Sequence, residues 1–354
     1  MGTTVMTIQL SKLVCGAAAA ATLAVGATPA FAARDQVWSA GSSTVFPFST
    51  RVAEQFARKS GGKPPKVESL GTGGGMKLFC GGSSDAFPDI ANASRRMTAA
   101  EFDSCQAKGV KDIIEIKIGY DGIVVATDKK GSNYNFNTEH LFLGLSGTVM
   151  RHGEWVKNPY KTWNEVGAAL PAKRIQVYGP PPTSGTRDAF VELALEEGAR
   201  KIPDIAEQRS KDEKLFKQRV DPVRTDGGWI DAGENDNAIV ATLTKTPDAL
   251  GVFGYSFLEE NLDKVKGARV NGIAPTAATI SDGSYPLSRS LFIYVKKSSL
   301  GVVPGLKGFV DEFLSDAATS RGGYLQDRGL IPLPAKMHAG AKAAVAAGTT
   351  MTRP

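Results

Sequence analysis

Histidine and cysteine are scarce in this 354-residue chain, with three of each. The histidines, His140, His152 and His338, stand far apart, and no two are four residues apart as on one helix face. Neither Cys80 nor Cys105 has metal-ligand spacing to any of them, so a zinc site is not expected. No Gly-x-Ser-x-Gly elbow is present, and no histidine lies in a serine-bearing motif, which argues against a hydroxyl nucleophile with an adjacent base. Lysine and arginine number 42 against 36 acidic residues, but the +6 balance is scattered, with no basic run and no aromatic-interleaved basic strand. Nucleic acid is therefore not an expected partner. No long apolar run follows the N-terminal region, so no membrane span is expected beyond it.

The N-terminal region itself reads as a secretion signal. Lys12 precedes the apolar run Leu13 to Val25, and Ala30-Phe31-Ala32 supplies a small-x-small cleavage site. The run is shorter than the roughly 20 residues that a bilayer requires, which disfavours a membrane anchor. Cys15 follows Val14 rather than a small residue, which disfavours lipidation. The mature chain is expected to be exported, and export favours a disulfide between Cys80 and Cys105 over two buried thiols. Its loop of about 25 residues corresponds to roughly 3 kcal/mol in the chain-entropy description.

Short strands and helices alternate along the mature chain, as in α/β architecture with mainly parallel sheets. Its length favours two lobes: 33–125 with 285–334, and 126–284, followed by an Ala/Gly/Thr-rich tail, 335–354, expected to be loosely ordered. Ile113 to Ile118 and Gly122 to Thr127 read as two apolar strands around a turn, the second crossing between lobes; Ser288 to Val295 reads as the return crossing.

Three stretches combine glycine with hydroxyl residues and lead into helices: Gly41-Ser42-Ser43-Thr44-Val45-Phe46-Pro47, Gly71-Thr72-Gly73-Gly74-Gly75-Met76-Lys77 and Thr183-Ser184-Gly185-Thr186-Arg187-Asp188. A helix N-terminus offers unpaired N–H groups and partial positive charge, glycine admits close backbone approach, and hydroxyls add donors. One such turn is an ordinary cap; three of them suit a small oxyanion enclosed from several sides.

On these motifs, together with Tyr285-Pro286-Leu287 and Gly329-Leu330-Ile331-Pro332-Leu333, the chain resembles the phosphate-binding proteins of Pst-type ABC importers, from Ser39 to about Pro334. The resemblance implies the two-lobed periplasmic-binding-protein fold with crossing strands, inorganic phosphate in the cleft, a membrane permease as partner, and no cofactor. A monomer is expected. Carried over by motif, Ser43, Thr44 and the Val45 N–H contact the ligand from the first lobe, with the Thr72 hydroxyl and the Gly73 N–H; Ser184, Gly185 and Thr186 close from the second. Two positions depart from better-known members. Arg95, after Ser94, stands where they place an aspartate, and Pro180-Pro181-Pro182 occupies the stretch where they place an arginine.

These departures bear on selectivity more than on oxyanion binding. Phosphate at neutral pH carries a proton that sulfate lacks, so a selective site needs an acceptor. Asp121, in Tyr120-Asp121-Gly122, is the candidate acceptor against the alternative of a turn aspartate; Asp188 is a rival that also reads as a first-turn helix acid. Arg187 is the candidate cation, against a surface salt bridge, with Arg95 as a second. Trp229 reads as core. Sulfate or molybdate on the same fold, and an exported phosphatase, are the rival functions.

Overall fold

Apolar runs of four or five residues, each ending in a glycine or serine turn, build strand–helix–strand units whose strands share one sheet. The computed structural model describes residues 1–3, 35–233 and 235–354. The expected secretion signal, Cys15 and the cleavage site lie outside the described residues. Arg34–Pro354 forms one compact unit.

The main sheet runs in the order Lys66–Ser69, Trp38–Gly41, Ile90–Ala93, Ser288–Lys296, Ile113–Asp128, Leu250–Gly254, Val177–Gly179, Trp229–Asp231. The first three strands are parallel. Ser288–Lys296 runs antiparallel to both neighbours. At the far end, Leu250–Gly254, Val177–Gly179 and Trp229–Asp231 are parallel again.

Ile113–Asp128 is one continuous strand of 16 residues rather than the two expected around a turn. Its first part pairs with the return strand, with Ile113 opposite Lys296 and Gly122 opposite Ser288. Its second part pairs with Leu250–Gly254, from Ile123 to Thr127. Tyr120 stays extended because its N–H and C=O both bond Ile331, at 2.9 Å each, and the closing segment thereby takes the place of a turn.

The apolar side chains separate along this strand. Ile114, Ile116 and Ile118 pack with Phe48, Val52, Ile293, Phe309 and Phe313. Ile123, Val124 and Val125 join a second core with Phe142, Trp163, Phe190, Val252 and Phe253, and Trp229 belongs to that core as expected. A third cluster, around Met76, Phe79 and Tyr294, encloses Cys80 and Cys105, which are disulfide-bonded. The bridge ties the end of helix Gly71–Phe79 to helix Ala99–Ala107. Among the described residues no helix is long and apolar enough to cross a membrane.

Two local expectations are corrected. The second glycine-rich stretch does not precede its helix but forms it: Gly71–Phe79 is helical from Gly71. Glycine is a poor helix former, so packing decides here. The tail is not loose, because Ala335–Ala346 is a helix. Its His338 is buried and shares the Thr319 hydroxyl and the Leu314 carbonyl, each at 3.0 Å. Beyond the helix, the Met351 N–H bonds the Ile113 carbonyl at 2.8 Å, and Arg353 pairs with Asp103. Alanine's high helix propensity outweighs the low-complexity composition of this segment.

Candidate anion-binding site

The first lobe's contribution begins where strand Trp38–Gly41 ends. Gly41 has φ +143°, and a Cβ there would stand 2.2 Å from the Asn92 carbonyl oxygen, so only glycine fits. The Ser42 N–H bonds that carbonyl at 2.9 Å. The chain then turns into helix Phe46–Ser60, with Pro47 in its first turn, as the sequence predicts. The Val45 N–H donates to the Ser42 hydroxyl at 3.3 Å. Thr44 is buried and faces across the molecule: its hydroxyl donates to the Gly185 carbonyl at 3.4 Å and accepts from Arg289 Nη2.

Thr72 and Ser94 meet. Their hydroxyls lie 3.0 Å apart, and the Ser94 N–H donates to Thr72 Oγ1 at 3.1 Å. Arg95, next in the chain, forms a two-pronged ion pair with Glu101 at 2.8 and 2.9 Å. Glu101 also closes the capping box with Thr98 at the start of helix Ala99–Ala107. The pairing holds the guanidinium firmly charged, raised above its ordinary range by the Glu101 bond. Arg95 is thus a cation that already has an acidic partner.

Asp121 is buried, and strand register places it opposite Arg289. Arg289 Nε donates to Asp121 Oδ2 at 3.3 Å, and Nη1 donates to Glu192 Oε2. Burial pushes the Asp121 carboxyl above the ordinary carboxylate range; the Arg289 charge and hydrogen bond oppose this, while Glu192 adds to it. Arg289 is the residue that sequence reasoning missed. The available signal was an arginine at the polar start of a crossing strand whose remainder is apolar, Ser-Arg-Ser-Leu-Phe-Ile-Tyr-Val.

From the second lobe, Ser184 caps helix Gly185–Phe190, its hydroxyl accepting from the Thr186 N–H at 3.2 Å. A Cβ on Gly185 would stand 2.8 Å from the Ser43 carbonyl oxygen and 3.0 Å from Thr44 Cα, so this turn touches the first one directly. Asp188 is a first-turn acid of the same helix. Arg187 turns to its own lobe. It bonds the Pro180 carbonyl at 3.0 Å and Asp231 at 2.9 Å, and its guanidinium sits 4.7 Å from the Trp229 ring centre.

A cavity of about 750 Å³ opens beside these groups. Thr72, Gly73, Ser94, Arg95 and Arg289 line it together with Glu192, Glu196, Arg200 and Lys217. The structure therefore joins the first and third turns through Thr44 and Gly185, and the second turn with Ser94 and Arg95 through the cavity. Arg289 touches both groups. Chemically, the arrangement offers hydroxyl donors and one buried guanidinium beside one buried carboxyl, which suits a small anion that still carries a proton.

The profile of the PBP superfamily domain matches residues 26–317. Protein SphX of Synechococcus elongatus is 31% identical over 319 residues, 88% of this chain and 82% of that protein. The phosphate-binding protein PstS of Staphylococcus saprophyticus is 32% identical over 302 residues, 84% of this chain and 80% of that one. Among solved structures, one described as a possible phosphate binding protein from Planctomyces limnophilus superposes with a TM-score of 0.71 at 28% identity, over 90% of this chain and 100% of that one. An ABC-type phosphate transport receptor from Vibrio cholerae shares the fold, with a TM-score of 0.56 at 18% identity over 84% of this chain and 100% of that one. The chain belongs to the PBP superfamily, in the family of SphX and the PstS phosphate-binding proteins.

Proposed function

We propose that this chain is an exported solute-binding protein that captures inorganic phosphate between its lobes and passes it to the membrane permease of an ABC importer. Its kinship with the PstS phosphate-binding proteins supports this reading. The observation that carries it is Arg289, whose side chain is only 8% exposed, shared between buried Asp121 and the wall of a cavity that the Thr72 and Ser94 hydroxyls also line. Arg289 supplies the countercharge. The hydroxyls of Ser43, Thr44, Thr72, Ser94, Ser184 and Thr186, and the N–H groups of Val45, Gly73 and Gly185, replace the anion's water. Asp121 accepts the phosphate proton and disfavours sulfate, which has none to give. Arg95, on the cavity wall, and Arg187 are each already paired with an acidic residue, Glu101 and Asp231, and are secondary to Arg289.

The bodies that close are 33–125 with 285–334, and 126–284, hinged where the two long strands cross. The protein acts as a monomer, freed of its signal near Ala32, and catalyses nothing. Calorimetric titration of the mature protein with phosphate, sulfate and molybdate tests the reading. Phosphate binds in the micromolar range or tighter and sulfate does not compete. Equal or tighter binding of sulfate or molybdate, or release of phosphate from esters, defeats it.

A further inference from the structure

We propose that Glu192 is a built-in stand-in for the anion: its carboxylate holds Arg289 when no phosphate is bound and must leave before phosphate can take its place. The inference rests on the phosphate reading above.

Three features of Glu192 carry it. Its Oε2 lies 2.5 Å from Arg289 Nη1, the one guanidinium nitrogen that bonds neither Asp121 nor Thr44. It lines the same cavity as Arg289, Thr72 and Ser94, so an anion reaching Arg289 from that cavity meets this carboxylate. And the two ends of the pair differ in exposure, 52% for Glu192 against 8% for Arg289. A buried guanidinium needs a partner at all times, whereas a half-exposed carboxylate recovers most of its hydration on leaving.

Glu192 also lies in Val191–Glu196, a π-helical segment inside the run that begins at Gly185. Such wide turns recur at functional sites. Here the segment places a carboxylate from the helix behind the third turn onto the return strand of the sheet. Asp121 cannot play this part, since it is buried on the neighbouring strand and held in register opposite Arg289.

Glu192→Gln removes the competing charge while keeping the shape. Isothermal titration of wild type and variant with inorganic phosphate at constant ionic strength provides the test. The variant binds about tenfold more tightly, the scale of one partly exposed ion pair exchanged for another. Glu197→Gln is the control, because Glu197 lines the same cavity but pairs with Arg200 rather than Arg289. It removes the same charge and changes affinity less than twofold. If Glu192→Gln binds phosphate no better than wild type, or more weakly, Glu192 is no competitor and the proposal fails alone. Equal tightening in both variants reduces the effect to general charge and also overturns it. A wild-type protein that takes up no phosphate brings down the phosphate reading and this inference with it.

Discussion

Arg224 and Arg289 are both buried arginines, at 3% and 8% side-chain exposure, yet they are held in opposite ways. Arg224 is gripped wholly within the second lobe's core region. Its Nε and Nη2 meet both oxygens of Asp226 at 2.7 Å, and its remaining donors reach the carbonyls of Gly144 and Tyr160 at 2.8 Å each. The Asp226 carboxyl is driven far below the ordinary range, first by the Arg224 bond. Arg289 instead draws its partners from three separate places in the chain, Asp121, Thr44 and Glu192, and one of these is half in water. If Arg289 holds the anion as proposed, burial alone does not mark a binding arginine. What marks it is a donor whose partner can be exchanged.

The comparison breaks first on stability. Arg224→Ala leaves two carbonyls without their donor and Asp226 with only Lys161 and the Gly228 N–H, and costs about 3 kcal/mol, at the low end for breaking a buried pair. Denaturant unfolding measures the loss, and the phosphate dissociation constant of the folded fraction stays as in wild type. A changed affinity would make Arg224 part of the site. Arg289→Ala has the reverse signature. Phosphate affinity falls at least 100-fold, about 2.7 kcal/mol, checked by calorimetry on protein whose circular dichroism shows it folded. Retention of binding within threefold of wild type removes Arg289 from the site.

Thr72→Val sharpens the picture on the neutral side of the cavity. The substitution keeps the volume and deletes the hydroxyl that meets both the Ser94 hydroxyl and the Ser94 N–H. One charge-assisted hydrogen bond to the anion is lost and the Ser94 N–H loses its acceptor, so phosphate affinity falls about tenfold, near 1.4 kcal/mol. An unchanged dissociation constant would mean that the pair is a purely structural link between helix Gly71–Phe79 and strand Ile90–Ala93.

Much of this was legible in the sequence, and the remainder was hidden for definite reasons. The glycine and hydroxyl turns mark themselves, since each joins a strand to a helix by local chemistry, and the Thr44–Gly185 contact shows two of them meeting. The crossing strands were visible as apolar runs. Their register was not, because Asp121 and Arg289 are 168 residues apart and a register shift lies at Leu291/Phe292. No local pattern encodes such a pairing. The start of the helix over Gly71–Phe79 is hidden because four glycines argue against it, while the packing of Gly75 on Gly41 requires only the last of them. The tail was misjudged because composition was weighed above alanine's helix propensity and the docking of His338.

Arg187 is the finest test of the distinction between held and exchangeable cations. Its position just after Ser184-Gly185-Thr186 makes it the natural countercharge on sequence grounds. By exposure its ion pair is like that of Arg289, 12% for Arg187 against 50% for Asp231, and what sets it apart is its other contacts. Asp231 and the Pro180 carbonyl share one of its nitrogens, and the Trp229 face lies under the guanidinium. The aromatic face cannot be exchanged for a solvated anion, and Asp231 lies two residues beyond Trp229 on the same strand, its carboxylate also taking the indole N–H at 2.9 Å. Arg187→Ala therefore costs about 1 kcal/mol of stability from lost stacking and pairing, read by thermal unfolding, and weakens phosphate binding less than threefold. A loss of binding as large as that of Arg289→Ala would show that Arg187 leaves Trp229 when the anion arrives, and that the exchangeable cation sits in the second lobe.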